Sequence, residues 1–186
     1  SLPVVMYGNC TAFLDNTLVV AAGGTRGDNL ADAYAWNEHL RTWEQLAPLP
    51  TAVSNPGYGV IGSRLFVVGG YADDTTHTEH YGGELVPGAM SSMSDYSARL
   101  QIFDMTTRKW SLGPPLDALR DRLERPMSAA VYNGRLYVFC QRVVFSGTAD
   151  VMRAHPAHVY CFDPHSSTWS ELPALPVGSD SDLVAC

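Results

Sequence analysis

The sequence predicts an all-β fold assembled from three copies of one four-stranded antiparallel unit. An aromatic pair at a fixed spacing recurs three times, a two-residue turn stands at a constant place ahead of each pair, and each turn opens a short apolar strand. The 46% hydrophobic and 17% charged composition, with 16 Gly and 12 Pro, suits a turn-rich globular chain and excludes a disordered one.

Each unit opens with a hairpin. Its turns are Asp15-Asn16, Gly62-Ser63 and Asn133-Gly134. Asn-Gly is the strongest short-range hairpin signal, because a type I′ turn needs positive φ at both central residues, and the other two pairs are compatible variants. The strands that follow are Leu18-Val19-Val20, Leu65-Phe66-Val67-Val68 and Leu136-Tyr137-Val138-Phe139.

The second strand then meets a glycine pair in two units, Gly23-Gly24 and Gly69-Gly70. Two glycines closing an apolar strand imply that backbone or a bulky ring approaches where a Cβ would stand. Unit one carries one residue more before its glycines, which predicts a bulge. Unit three has Cys140-Gln141 at that place, so its packing must differ.

The second hairpin carries the aromatics. Trp43, Trp110 and Trp169 each follow an aromatic seven positions earlier, Trp36, Phe103 and Phe162, and each precedes by six a leucine, Leu49, Leu116 and Leu175. Two aromatics joined by a six-residue polar connection predict a hairpin whose rings pack within one sheet. The connections NEHLRT, DMTTRK and DPHSST begin with Asn or Asp, whose side chain can bond the backbone two residues on.

Four short strands, a glycine pair and a spaced aromatic pair resemble the kelch repeat, one blade of a β-propeller. The family pattern has tyrosine where this chain has Trp36, Phe103 and Phe162, and unit three lacks the glycines. The repeats run over about 10–50, 57–116 and 127–176, and 180–186 reads as the start of a fourth blade. Propellers close with about four to eight blades. Three make an incomplete ring, so the remaining blades are expected from a larger parent chain, the reading the ending inside an apolar strand favours, or from a second copy.

Charge and composition narrow the function. A net charge of −7 with only 12 Lys and Arg argues against nucleic acid, which demands clustered basic residues. The longest apolar runs fall far short of the roughly 20 residues of a membrane span. The four widely spaced cysteines lack metal-binding or disulfide-framework spacing, which suits a reducing compartment, the cytoplasm or the nucleus. A Cys140–Cys161 cross-strand disulfide is possible in principle.

The repeated residues belong to the core, so function falls to the parts that do not repeat. In kelch propellers the resemblance places ligand contacts on the loops between second and third strands and between blades, and loops on a rigid scaffold carry function generally. Those loops span about 11, 32 and 20 residues here, at 25–35, 71–102 and 142–161. A partner protein or peptide is therefore expected at Arg26, Asp28 and Asn29, at His77, His80 and Tyr81, at Arg120, Arg122 and Arg125, and at Arg153 and His155.

His77 and His80 lie among acidic residues, but a solvated polar loop explains them as well as a metal site does, and no metal or cofactor is expected. Leu116, Leu119 and Leu123 are spaced for one or two helical turns that turn the three arginines outward, toward an acidic peptide. Asp117, Asp121 and Glu124 among them make pairing within the connection the simpler reading. No nucleophile elbow, P-loop or dinucleotide fingerprint occurs. The alternative is a propeller enzyme, either similar to copper radical oxidases, which use a Tyr-Cys crosslink, or a sugar-modifying one.

Overall fold

The computed structural model describes residues 2–26, 28–72, 95–121, 124–142 and 158–173. Strands β1 (Cys10–Leu14), β2 (Thr17–Ala21), β3 (Ala33–Asn37) and β4 (Thr42–Gln45) form one antiparallel sheet in chain order. The second unit begins with β5 (Gly57–Ile61) and β6 (Arg64–Val68). A two-stranded ladder of β7 (Tyr71–Ala72) and β8 (Asp95–Tyr96) follows, and β9 (Leu100–Asp104) and β10 (Lys109–Leu112) complete the sheet β5-β6-β9-β10. A single helical turn, α1 (Ala118–Asp121), leads into the third sheet of β11 (Glu124–Tyr132), β12 (Arg135–Arg142), β13 (His158–Asp163) and β14 (Thr168–Leu172).

Local chemistry sets each hairpin. Asp15 and Asn16 have φ of 47° and 63°, and Asn133 and Gly134 48° and 69°, the two positive values of a type I′ turn. In Gly62-Ser63 only the glycine is positive, at 59°, as a type II′ turn requires. The connections to the fourth strands are capped by their first residues, two of them one residue further on than expected. Asn37 and Asp104 accept from the backbone N–H three residues on, at 3.0 Å each, and Asp163 from that of His165, two residues on, at 2.9 Å.

The aromatic pairs are cross-strand neighbours in all three sheets: Trp36 faces Trp43, Phe103 faces Trp110, and Phe162 faces Trp169. Their ring centroids lie 5.3, 5.1 and 5.0 Å apart, in the edge-to-face or tilted arrangement that aromatic quadrupoles favour.

The sheets stack face to face. Side chains alternate along β6, so Leu65 and Val67 join the core shared with the first sheet while Phe66 and Val68 join the core shared with the third. All four are fully buried, which explains why this strand reads as an unbroken apolar run. The first strands of neighbouring sheets lie against one another, β1 against β5 and β5 against β11. Three blades so arranged form an incomplete β-propeller, with the first strands innermost.

The glycine pairs require a correction. The N–H of Gly69 bonds Arg99 and the carbonyl of Gly70 accepts from Ser97, and in unit one the same two roles fall to Ala22, with Asp32, and Gly23, with Leu30. The φ values agree: 67° and 94° in unit two, 61° and 109° in unit one. Ala22-Gly23 is therefore the counterpart of Gly69-Gly70, and the expected extra residue disappears. The glycine pair is offset by one in sequence while the backbone is not. In unit three Cys140 and Gln141 carry straight on in β12, because β11 reaches back to Glu124 and pairs with them. No left-handed turn is needed there, so no glycine is.

Candidate functional site

Strand register decides which loops share a face. The end of β2 lies beside the start of β1, at Ala21 and Cys10, and the end of β4 lies beside the start of β3, at Gln45 and Tyr34. The second-to-third-strand loops and the blade-to-blade connections therefore emerge at one end of the stack, and the two-residue turns at the other.

At the loop end, beside the innermost strands, lies a cleft of about 390 Å³. It is lined by Gly8 and Asn9, Asn55 and Pro56, and Pro126 and Met127. Counting back from the three hairpin turns, these are the same two repeat positions in three successive blades. Gly70 and Tyr71 supply a further wall.

Gly70 shows how closely this wall is built. Its φ is 94°, and a Cβ there would stand 2.7 Å from the carbonyl oxygen of Ser54. Tyr71 and Ser54 exchange backbone hydrogen bonds of 2.8 and 2.9 Å, so the bare glycine lets the entry to β5 close onto the end of β6. In the third blade the register shifts between Pro126 and Ser128, and this bulge leaves Met127 without a ladder partner, lining the cleft.

At the start of β11, two residues before Pro126, sits a buried polar group. Glu124 is 0% exposed. Its Oε2 accepts from the Tyr160 hydroxyl at 2.8 Å and its Oε1 meets Nδ1 of His158. A buried carboxylate is tolerated only with such partners. Burial pushes the thiol of Cys140 well above its usual range, and the charge of Glu124 adds to the shift. The trio ties the backward extension of β11 to β13, in the blade without the glycine turn.

Of the residues expected to meet a partner, Arg26 and Asp28 are exposed on the β2–β3 loop, and Asn29 is half-buried and bridged to Gly24. Arg120 falls in α1, and Arg125 in β11 opposite Gln141 instead of in the connection, because β11 starts earlier than the repeat pattern implies. For these two the backbone alone is described. His77, His80, Tyr81, Arg122, Arg153 and His155 lie outside the described residues. In the connection itself one helical turn forms, with Leu116 and Leu119 buried under it, and Leu123 lies outside the described residues.

Cys140 and Cys161 cannot form the disulfide considered above. Cys140 pairs with His158 and Cys161 with Tyr137, which puts them on opposite faces of the third sheet. Cys10, Cys140 and Cys161 are free and buried. Tyr137 does face Cys161, but the groups beside them are Arg135 and Asp163, which bind each other at 2.9 Å. Among the described residues no group of three His, Cys, Asp or Glu side chains could hold a metal ion, and no helix is long and apolar enough to cross a membrane.

No family model matches the chain. It is 26% identical over 157 residues to mouse (Mus musculus) Kelch-like protein 35, a match covering 84% of this chain and 21% of that protein. The three four-stranded sheets fit the blades of such a kelch-repeat propeller. The chain thus spans about a fifth of the length of the curated relative it matches.

Two features of these blades escaped the sequence reading. Gln101, fully buried, takes the N–H of Thr51 on its Oε1 at 2.8 Å and gives its amide to the Thr51 carbonyl at 3.1 Å, clamping the connection between blades one and two. The Glu124 trio joins residues 34 and 36 positions apart. The one signal in sequence was an acid, a histidine and a tyrosine in the one unit that lacks the glycine pair.

Proposed function

We propose that this chain is a recognition module of a larger kelch-type propeller, which binds a partner protein or peptide on its loop face and has no chemistry of its own. One observation carries the reading: the cleft is made by the same two positions in three blades, at the end where the non-repeating loops emerge. The opposite end carries the two-residue turns and the short connections to the fourth strands, which repeat from blade to blade. The repeat residues themselves are engaged in packing between blades, which leaves the loops free to vary.

Arg26, Asp28 and Asn29 border this face, and the long loops carrying His77, His80 and Tyr81, and Arg153 and His155, belong to the same set of connections, as do Arg120, Arg122 and Arg125. The blades beyond these three come from a parent chain or from a second copy. A scaffold or substrate-adaptor role in the cytoplasm fits such a surface.

The test is capture of partners by the immobilised chain, followed by charge reversal. Substituting Arg26→Glu together with Asp28→Lys is expected to abolish capture, whereas Leu40→Ser on the turn face should leave it intact. Loss with the turn-face variant alone would sink the assignment of the face. Unchanged capture after reversal of Arg120, Arg122 and Arg125 would remove the arginines from it.

A further inference from the structure

We infer that the two open flanks of this chain bind one another in a second copy, so that two chains close head to tail into one six-bladed ring. This chooses between the two sources of further blades named above. It concerns the flanks, whereas partner recognition concerns the loop face. Six blades lie within the range at which propellers close, and a heterologous interface made twice closes a dimer.

The front flank is an apolar row left open. In the second blade Val60, Leu65, Phe103 and Trp110 stand level across the four strands, and in the third Val131, Leu136, Phe162 and Trp169 do. Each row packs on the blade before it, and Leu65, Phe103, Leu136 and Phe162 are buried there. The same row in the first blade is Phe13, Leu18, Trp36 and Trp43, through the pairs Phe13 with Leu18 and Trp36 with Trp43 and the rung next to Val19 with Ala35. Val19 and Ala35 join the core shared with the second blade, so alternation turns this row the other way. Phe13 is 69% exposed.

The back flank is its complement. Leu14, Ile61 and Tyr132 each stand just before a hairpin turn. Leu14 and Ile61 pack in the two cores, whereas Tyr132 is 67% exposed. Ala130 occupies the place of Gly59, where a Cβ would meet Val131 and Leu136 of the next blade. The front row of one blade thus rests on a small residue of the blade before, and Phe13 and Leu18 of a second copy rest on Ala130 in the same way. Val131 stays exposed even within such an interface, so the axis side has room for the larger Phe13.

A polar latch continues the match. The indoles of Trp110 and Trp169 donate to the carbonyls of Ala47 and Pro114, each four residues after the tryptophan of the preceding blade. Trp43 is the same donor on the front flank, with no acceptor among the described residues, and exposed Pro173 holds the same carbonyl position after Trp169. The link between Arg108 and Glu44 is not reproduced, because Ser170 stands in the place of Glu44, but an ion pair so exposed contributes little.

Sedimentation equilibrium of the intact chain over a wide concentration range is the test. A reversible dimer, twice the 20.2 kDa of one chain, is expected. Phe13→Asp and Tyr132→Asp, on opposite flanks, should each weaken it by about tenfold or more while the melting of the single chain is unchanged. Trp43→Phe should weaken it about fivefold, the loss of one hydrogen bond. Mixing the Phe13→Asp and Tyr132→Asp chains should restore a dimer, because one of its two interfaces is then unaltered. A monomer at every concentration would overturn the inference and assign the flanks to blades of a longer chain, with partner capture by the loop face still standing. A dimer indifferent to Tyr132→Asp, or growth into open polymers, overturns it too.

Discussion

The indole Nε1 of Trp110 donates a 2.8 Å hydrogen bond to the carbonyl of Ala47, 63 residues earlier and in the tail of the preceding blade. Trp169 does the same to Pro114 at 2.9 Å. Ala47 and Pro114 each stand two residues before the tail leucine, Leu49 and Leu116, and those leucines bond back to Ala31 and Ala98 at 2.8 Å. One aromatic thus pairs inside its own sheet and latches it to the sheet before.

Removing the latch while keeping an aromatic ring separates the two roles. Trp110→Phe is expected to cost about 1 kcal/mol, the net worth of one hydrogen bond whose acceptor can turn to water. Trp110→Ala should cost about 3 kcal/mol, as large-to-small core substitutions do. Urea unfolding of the two variants measures both, and a Trp110→Phe variant as stable as the unaltered chain would show that the indole N–H contributes nothing.

Gly70→Ala places a methyl group at φ 94° and within 2.7 Å of a backbone oxygen. Neither strain can be relieved by turning a flexible side chain. A loss of about 2 kcal/mol or more is expected, with faster amide exchange at Ser54 and Tyr71, the pair it would force apart. Protection of those two amides equal to that of the unaltered chain would contradict the close approach.

Glu124→Ala removes the acceptor of both His158 and Tyr160, and a loss of about 3 kcal/mol is expected on thermal or urea unfolding. Tyr160→Phe, which gives up one of the two bonds, should cost roughly a third of that. If the two substitutions cost the same, the carboxylate is not the centre of the group.

Asp163 has its carboxyl held below the ordinary range, first by the His165 backbone N–H and further by the Arg135 guanidinium. A lowered folded-state value means stability that is present above the unfolded value and lost as the pH falls through the folded one. Carbon-detected titration should show Asp163 ionising below the ordinary aspartate range. Arg135→Ala should move it only part of the way back, because the His165 contact remains.

Everything that depended on neighbours within one hairpin was legible in the sequence: the three turns, the facing aromatic pairs, the capped connections and, through their repetition, the three blades. Even the distance from Trp110 to Leu116 is short enough to be read as a pattern. The glycine pair of unit one misled because left-handed φ is a property of the backbone position, and Ala22 adopts it at 61° as the chain is closed on both sides. Gln101 on Thr51, Glu124 on His158 and Tyr160, and the cleft shared by Asn9, Asn55 and Met127 bring together residues from separate hairpins or blades. Short-range periodicity specifies which segments become strands and which faces they bury, but carries no information on where one blade touches the next. Those contacts exist only once the sheets stack, and the stacking is what decided the cleft and the position of the buried acid.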